Sequence, residues 1–293
     1  MVFSGPGAGC GGVDFEAELL PRIGAPLAEV AGAPKVPVLH AALPGVLAVD
    51  WIPGATLYAR RRGGEDDDDD ERIGGAFAVL HAVSRREAWL PERLVLGDLG
   101  ERIVWTSPEQ YAALGPAALE LWRRVQADDL ATRTLIELVE QETRETACFV
   151  HGDARQANIV LTRRVVAFVD WELAGWGDPA RDPGMLFADD LAAFLAPRVG
   201  REAMRLSTLR RRGGALVRGY RSVALREAMD PGPRFDERVI AWAGEALLRR
   251  VHTIAHHEGR FDRVEAHLTA SALELLRHPK RWAQHFLGKA SAA

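Results

Sequence analysis

Cysteine is scarce in this chain: Cys10 and Cys148 are the only two among 293 residues. They lack metal-ligand spacing, and Cys148 sits in an apolar strand-like run, which argues against a disulfide framework and a cysteine-bound zinc site. Long apolar runs are missing too, so no segment reads as a membrane-spanning helix. The N-terminus has no basic region followed by an apolar one, the mark of a secretory signal. A net charge of only -4 gives no electrostatic reason to expect nucleic acid as a partner. The hydrophobic content of 47%, by contrast, is enough for a substantial core and argues against disorder. A cytoplasmic globular protein, with neither membrane nor nucleic acid as partner, is the expectation.

The strongest positive signal is His151-Gly152-Asp153-Ala154-Arg155-Gln156-Ala157-Asn158, followed by Asp170-Trp171-Glu172. An Asp able to accept a hydroxyl proton precedes by five residues an amide able to bind metal, and a carboxylate follows twelve residues later. That is the layout of a phosphoryl-transfer site. The local pattern explains the spacing. Ala147-Cys148-Phe149-Val150 reads as a short buried strand delivering Asp153 into a loop, and Asn158-Ile159-Val160-Leu161 as the strand leaving it. Thr162-Arg163-Arg164 is a turn candidate, and Val165 to Val169 runs back to Asp170. Such a hairpin brings Asn158 and Asp170 to one end, where amide and carboxylate oxygens suit Mg²⁺. Asp153 remains free as general base.

With these residues the chain resembles the kinase-like phosphotransferases that include aminoglycoside phosphotransferases, choline kinases and homoserine kinases. The likeness rests on His151, Gly152, Asp153, Asn158, Asp170, Trp171, Glu172, Gly177-Asp178-Pro179 and Asp182. It implies an α+β, bilobal protein-kinase-like fold with a small, shortened N-terminal sheet lobe and a larger helical C-terminal lobe. A flexible tail over residues 1–13, a small lobe and hinge over 14–53 and a helical lobe over 54–293 are expected. The resemblance further implies ATP and Mg²⁺ as cofactors, with Asn158 and Asp170 as metal ligands and His151 supporting the catalytic loop, which Asp178 and Asp182 help to hold. The hinge that receives the adenine ring would fall at Ala48 to Trp51, with Ala48, Asp50, Trp51 and Val160 beside the nucleotide.

The N-terminal region departs from the family pattern. Kinase-like enzymes carry a glycine-rich turn over the phosphates and a strand lysine paired with a helix glutamate. Here Asp14 to Leu20 already reads as that helix, with Glu16 or Glu18 as the glutamate, and the preceding Gly5 to Gly12 reads as a tail. Lys35 is the only lysine before Lys280, and it follows the presumed helix. Three readings stay open: a start lying further upstream, a charge supplied differently, or lost catalysis. Arg155, whose fork of donors suits phosphate oxygens, is the candidate replacement. Equally, Arg155 could simply pair with a nearby carboxylate.

Elsewhere, Val36 to His40 and Val46 to Trp51 read as strands joined at Pro44-Gly45. The acidic run Glu65 to Glu71 reads as a solvated loop or frayed helix start, and Ile73 to His81 as a buried helix with a packed His81. Ser107-Pro108-Glu109-Gln110 carries a capping box with Pro at the first helical position. Gly115-Pro116 should separate that helix from the next, and Leu130 to Val139 has helical spacing. Asp189-Asp190 could bind a cationic acceptor, but a solvated helix face is the expectation. Val239 to Ala255 forms an apolar helical stripe, and His252, His256 and His257 have no evident third metal ligand. The acceptor would be a hydroxyl of a small molecule such as an aminoglycoside-like antibiotic or metabolite. A likeness of Val169 to Pro179 and of Leu273 to Pro279 to the stand-alone kinases of class V lanthipeptide and thioamitide pathways suggests a peptide Ser/Thr acceptor with a lyase partner instead. A catalytically weak scaffold is the third reading.

Overall fold

A computed structural model of the chain describes residues 2–4, 11–43, 46–64, 69–85, 90, 103, 106–142, 148–197 and 203–288. The N-terminal part opens with strand β1 (Val2–Ser4), helix α1 (Gly11–Ala28), and strands β2 (Leu39–Leu43) and β3 (Val46–Val49). They form an antiparallel sheet of order β1-β3-β2, with Val2 opposite Ala48. Within the stretch expected as a tail, residues 1–13, Val2–Ser4 pairs with β3 and α1 begins at Gly11. The strand expected at Val36 is displaced to Leu39. Pro37 has no N–H for a ladder, and Lys35 instead makes a parallel bridge to Ala167, its N–H donating to Val166 O at 2.8 Å. The Pro44-Gly45 turn lies outside the described residues, as do Glu65 to Asp68.

Strand β4 (Ala55–Thr56) leads into helix α2 (Leu57–Arg62), capped by Thr56 Oγ1, which accepts from Ala59 N at 3.1 Å. Gly54, at φ 140°, lets this entry lie against Leu161, whose carbonyl would sit 2.6 Å from any Cβ there. Helix α3 (Asp69–Ser84) is buried along nearly its whole length. Helices α4 (Pro108–Ala112), α5 (Pro116–Gln126) and α6 (Asp129–Glu142) follow. The Ser107/Gln110 capping box forms with both of its bonds, as the sequence predicts. The segment that carries Asp153, Asn158 and Asp170 is built of short strands: β5 (Cys148–Val150), β6 (Ile159–Leu161), β7 (Val166–Phe168) and β8 (Gly175–Gly177), paired as β4-β6-β7 and β5-β8.

Helices α7 (Arg181–Leu195), α8 (Leu206–Arg226), α9 (Phe235–His257), α10 (Arg263–Arg277) and α11 (Pro279–Phe286) complete the helical part. Helix α3 packs most extensively on α8, where a Cβ on Gly219 would meet Glu71 O at 1.9 Å. The two backbones touch because no side chain intervenes. Around this crossing Phe77, Phe149, Phe168, Trp171, Tyr220 and Trp242 are fully buried, and they bind the segment of short strands to the helices. No helix among the described residues is long and apolar enough to cross a membrane.

Candidate active site

The loop after β5 is shaped by one glycine and one carboxylate. Gly152 has φ 78°, a conformation open to glycine at little cost, and it turns the chain sharply after His151. The fully buried Asp182 at the start of α7 accepts the N–H groups of His151 and Gly152 at 2.8 and 3.0 Å, and faces His81 Nε2 at 3.1 Å. Burial alone would push the Asp182 carboxyl up, but the bond and charge of His81 and the contacts with His151 outweigh it and hold the group below its ordinary range. Asp182 is therefore a buried anion that orders the loop. His81 also contacts the Tyr220 hydroxyl at 2.8 Å, so it is packed in the core as expected.

His151 is buried, with Nε2 3.0 Å from the Val169 carbonyl and Nδ1 3.3 Å from the Asp153 N–H. Those partners fit a proton on Nε2, which ties the loop to the strand that ends at Asp170. One 3₁₀ turn, Gln156–Asn158, then returns the chain to β6. Val169 N donates to Asn158 O at 3.0 Å, and Ile159 pairs with Phe168. The hairpin thus sets Asn158 beside Asp170. Asn158 Nδ2 donates to Asp153 Oδ2 at 2.8 Å and to Asp153 O at 3.0 Å, which leaves its amide oxygen for another partner. Arg155 Nη2 lies 2.7 Å from Asp153 Oδ2 and 4.0 Å from Asp170 Oδ2. Asp170 takes φ 70°, a strained conformation for a non-glycine residue and one that concentrates at functional sites. Burial, and after it the Asp153 charge, push the Asp170 carboxyl up against the opposing contacts with His151, Arg155 and Asn158.

Residues 13–225 match the model of the phosphotransferase enzyme family. The chain belongs to that family. It is a phosphotransferase, a kinase whose acceptor is a hydroxyl group. No protein of curated function matches the sequence. Solved structures share the kinase-like fold. A choline/ethanolamine kinase family protein from Mesorhizobium loti is 16% identical, with a TM-score of 0.54 over 93% of this chain and 82% of that one. An ethanolamine kinase of Plasmodium vivax is 12% identical, with a TM-score of 0.59 over 95% and 76%. A glucosamine kinase in complex with glucosamine, ADP and inorganic phosphate is 18% identical, with a TM-score of 0.59 over 89% and 72%.

In this phosphotransferase, Glu16 of α1 accepts the Trp171 N–H at 3.2 Å, next to Asp170. Burial pushes the Glu16 carboxyl up from 4.5 to about 7, with Asp170 and Glu172 adding like charge against the Trp171 bond. A proton held more tightly folded than unfolded stabilises fully below the unfolded value and is lost as pH rises through the folded one. Without nucleotide or metal, the melting temperature should therefore fall between pH 4.5 and about pH 7. The share due to Glu16 is at most about 3 kcal/mol. Glu16→Gln should flatten much of that slope in thermal melts across this range. An identical slope in both proteins would remove Glu16 as its source.

The hinge candidates lie on β3, on the segment that follows it and on β6. Ala48 lies in β3, the Asp50 side chain contacts His40 at 2.5 Å, its N–H donates to Val38 O, and Trp51 is 63% exposed. Val160 is half-buried on β6, opposite Thr56. Two expectations are corrected. Asp69 and Asp70, within the acidic run, open helix α3 as a helix start but are buried against Arg60, Arg61 and Arg72 rather than solvated. Asp189-Asp190 is not a solvated face: Asp190 is 2% exposed, and Asp189 Oδ2 accepts the Gln156 N–H at 2.9 Å. The arginine partners of Asp190 lie 129 and 22 residues away, beyond a local sequence window. Away from the site, His252 Nδ1 faces Trp122 Nε1 at 3.3 Å. A concavity of about 390 Å³ between α6 and α9, at Thr134, Glu137 and Arg234, contains none of the catalytic candidates.

Proposed function

We propose that the chain moves the terminal phosphoryl group of ATP, taken as its magnesium complex, to a hydroxyl of a small amine-bearing molecule. The carrying observation is the contact of Asp153 with Asn158, set beside Asp170 by the hairpin. The donor set fits magnesium: an amide oxygen and a carboxylate are both hard donors, and the Asp153 charge adds to that of Asp170. Asn158 and Asp170 would hold the ion, which when bound supplies charge neutralisation of the phosphate oxygens. Asp153 would orient the acceptor hydroxyl and take its proton. Arg155, 55% exposed and within reach of both carboxylates, would turn its guanidinium to the phosphate oxygens. His151 would keep the loop in register, Glu16 the segment at Trp171, and Ala48, Asp50, Trp51 and Val160 would line the base.

ATP and GTP consumption, each measured with magnesium and a set of acceptors that includes glucosamine, ethanolamine, choline and aminoglycosides, tests this reading. Acceptor-dependent ADP formation is the expected result, and its absence across the set counts against the reading. Asp170→Ala should weaken Mg-ATP binding at least about tenfold in calorimetric titration, the effect of losing one charged ligand. Unchanged affinity would remove Asp170 from the metal site.

A further inference from the structure

The catalytic loop is held at two ends by one helix. Asp182 takes the upstream N–H groups, and two turns further along α7 Asp189 and Asp190 take the downstream ones. Gln156 lies between Arg155 and Asn158, whose side chains reach the Asp153 carboxylate. Its backbone N–H goes to Asp189 Oδ2, and its side-chain Nε2 to Asp190 Oδ1 at 3.0 Å. Asp190 is itself fixed from both sides. Arg61 Nη1 reaches its two oxygens at 2.8 and 2.9 Å, and Arg212 Nη1 reaches Oδ1 at 3.0 Å. The other arm of Arg61 pairs with Asp70. Two arginines and two aspartates from α2, α3, α7 and α8 thus meet in a buried cluster of balanced charge.

We infer that this cluster is a positioning device: Arg61 and Arg212 lock Asp190, and Asp190 sets the catalytic loop through Gln156. Stability alone is a poor reason for such a cluster, because desolvating four charges offsets most of their attraction, and a well-packed apolar core would serve as well. What it supplies is direction. Arg61 Nη1, shared between both oxygens, and Arg212 Nη1 on Oδ1 together fix the plane of the Asp190 carboxylate, and that plane fixes the Gln156 amide. The turn carrying Arg155 and Asn158 then has a single placement relative to Asp153. Because Arg61 belongs to the helix that follows β4, the same contact joins that helix to the loop.

The test uses Gln156→Met, which keeps size and the backbone N–H but removes the amide on Asp190, together with Asp190→Asn. Amide hydrogen exchange of the segment 149–161 is read beside melting temperature and phosphoryl transfer. In Gln156→Met the loop amides should exchange about ten- to a hundredfold faster, the value of a hydrogen bond to a charged group, while exchange elsewhere and the melting temperature stay nearly unchanged. Asp190→Asn should give at least as large a loop effect, with a lower melting temperature. The activity arm alone rests on the proposed function: with an acceptor that the wild type phosphorylates, kcat should fall about tenfold at a KM for Mg-ATP within about twofold. Unchanged loop exchange in Gln156→Met overturns the inference, and so does faster exchange with kcat intact. If the wild type phosphorylates nothing, the functional reading fails, and loop exchange still decides for or against the device.

Discussion

Asp153→Asn should abolish phosphoryl transfer while leaving the fold and Mg-nucleotide binding nearly intact. The substitution preserves volume, and an amide oxygen can still accept from Asn158 Nδ2 and Arg155 Nη2, the two donors that hold Asp153 Oδ2. What disappears is the basic oxygen that would take the acceptor's proton, and losing a positioned general base costs about 10² to 10⁴ in rate. Metal binding should not weaken. Asp153 is one of the charges that push the Asp170 carboxyl up, so its removal makes Asp170 easier to ionise. Turnover and calorimetric Mg-ATP binding, measured on one preparation, check both halves. Full turnover would mean that another group accepts the proton, and lost nucleotide binding would mean that Asp153 holds the metal.

The catalytic hairpin was legible in the sequence because its determinants are local. Apolar runs, a turn at Thr162 and short intervals between Asp153, Asn158 and Asp170 define it, and all act within one stretch of chain. The buried helix α3 was legible for a related reason: small and apolar residues fill it on every side, and Gly74 and Gly75 lie where α8 comes close. The small sheet was less legible. Prolines displaced its second strand, and its edge strand is only Val2–Ser4, too short for periodicity to register. The charge cluster beneath the loop was not legible at all. Arg61 and Arg212 reach Asp190 from 129 and 22 residues away, only Arg61 and Asp70 are near each other in the chain, and each alone reads as a surface charge. The spacing of Asp189-Asp190 from Asp182, two helical turns on one helix, is the signal that could have placed them on the same loop.

That placement makes Asp182 the residue whose loss should cost most in stability. Its carboxylate is fully buried and serves the His151 N–H, the Gly152 N–H and His81 together. Asp182→Ala would strand two backbone donors away from water and remove the anion beside His81, a loss of about 3 to 5 kcal/mol by analogy with broken buried pairs. For a chain of this size that corresponds to a melting temperature lower by roughly 10 °C. Asp182→Asn should fall between wild type and Ala, since its oxygen can accept one N–H while its amide faces a second donor. The sign of the pH effect follows from the depressed carboxyl: its contribution is complete above the unfolded value of 3.8 and is lost as pH falls through the lower folded one. The deficit of Asp182→Ala relative to wild type should accordingly be constant near neutrality and shrink in strong acid. Melts at pH 7 and in an acid series measure both features. A shift of less than about 2 °C at pH 7 would mean that the loop N–H groups find other partners, and that Asp182 does not anchor the catalytic loop.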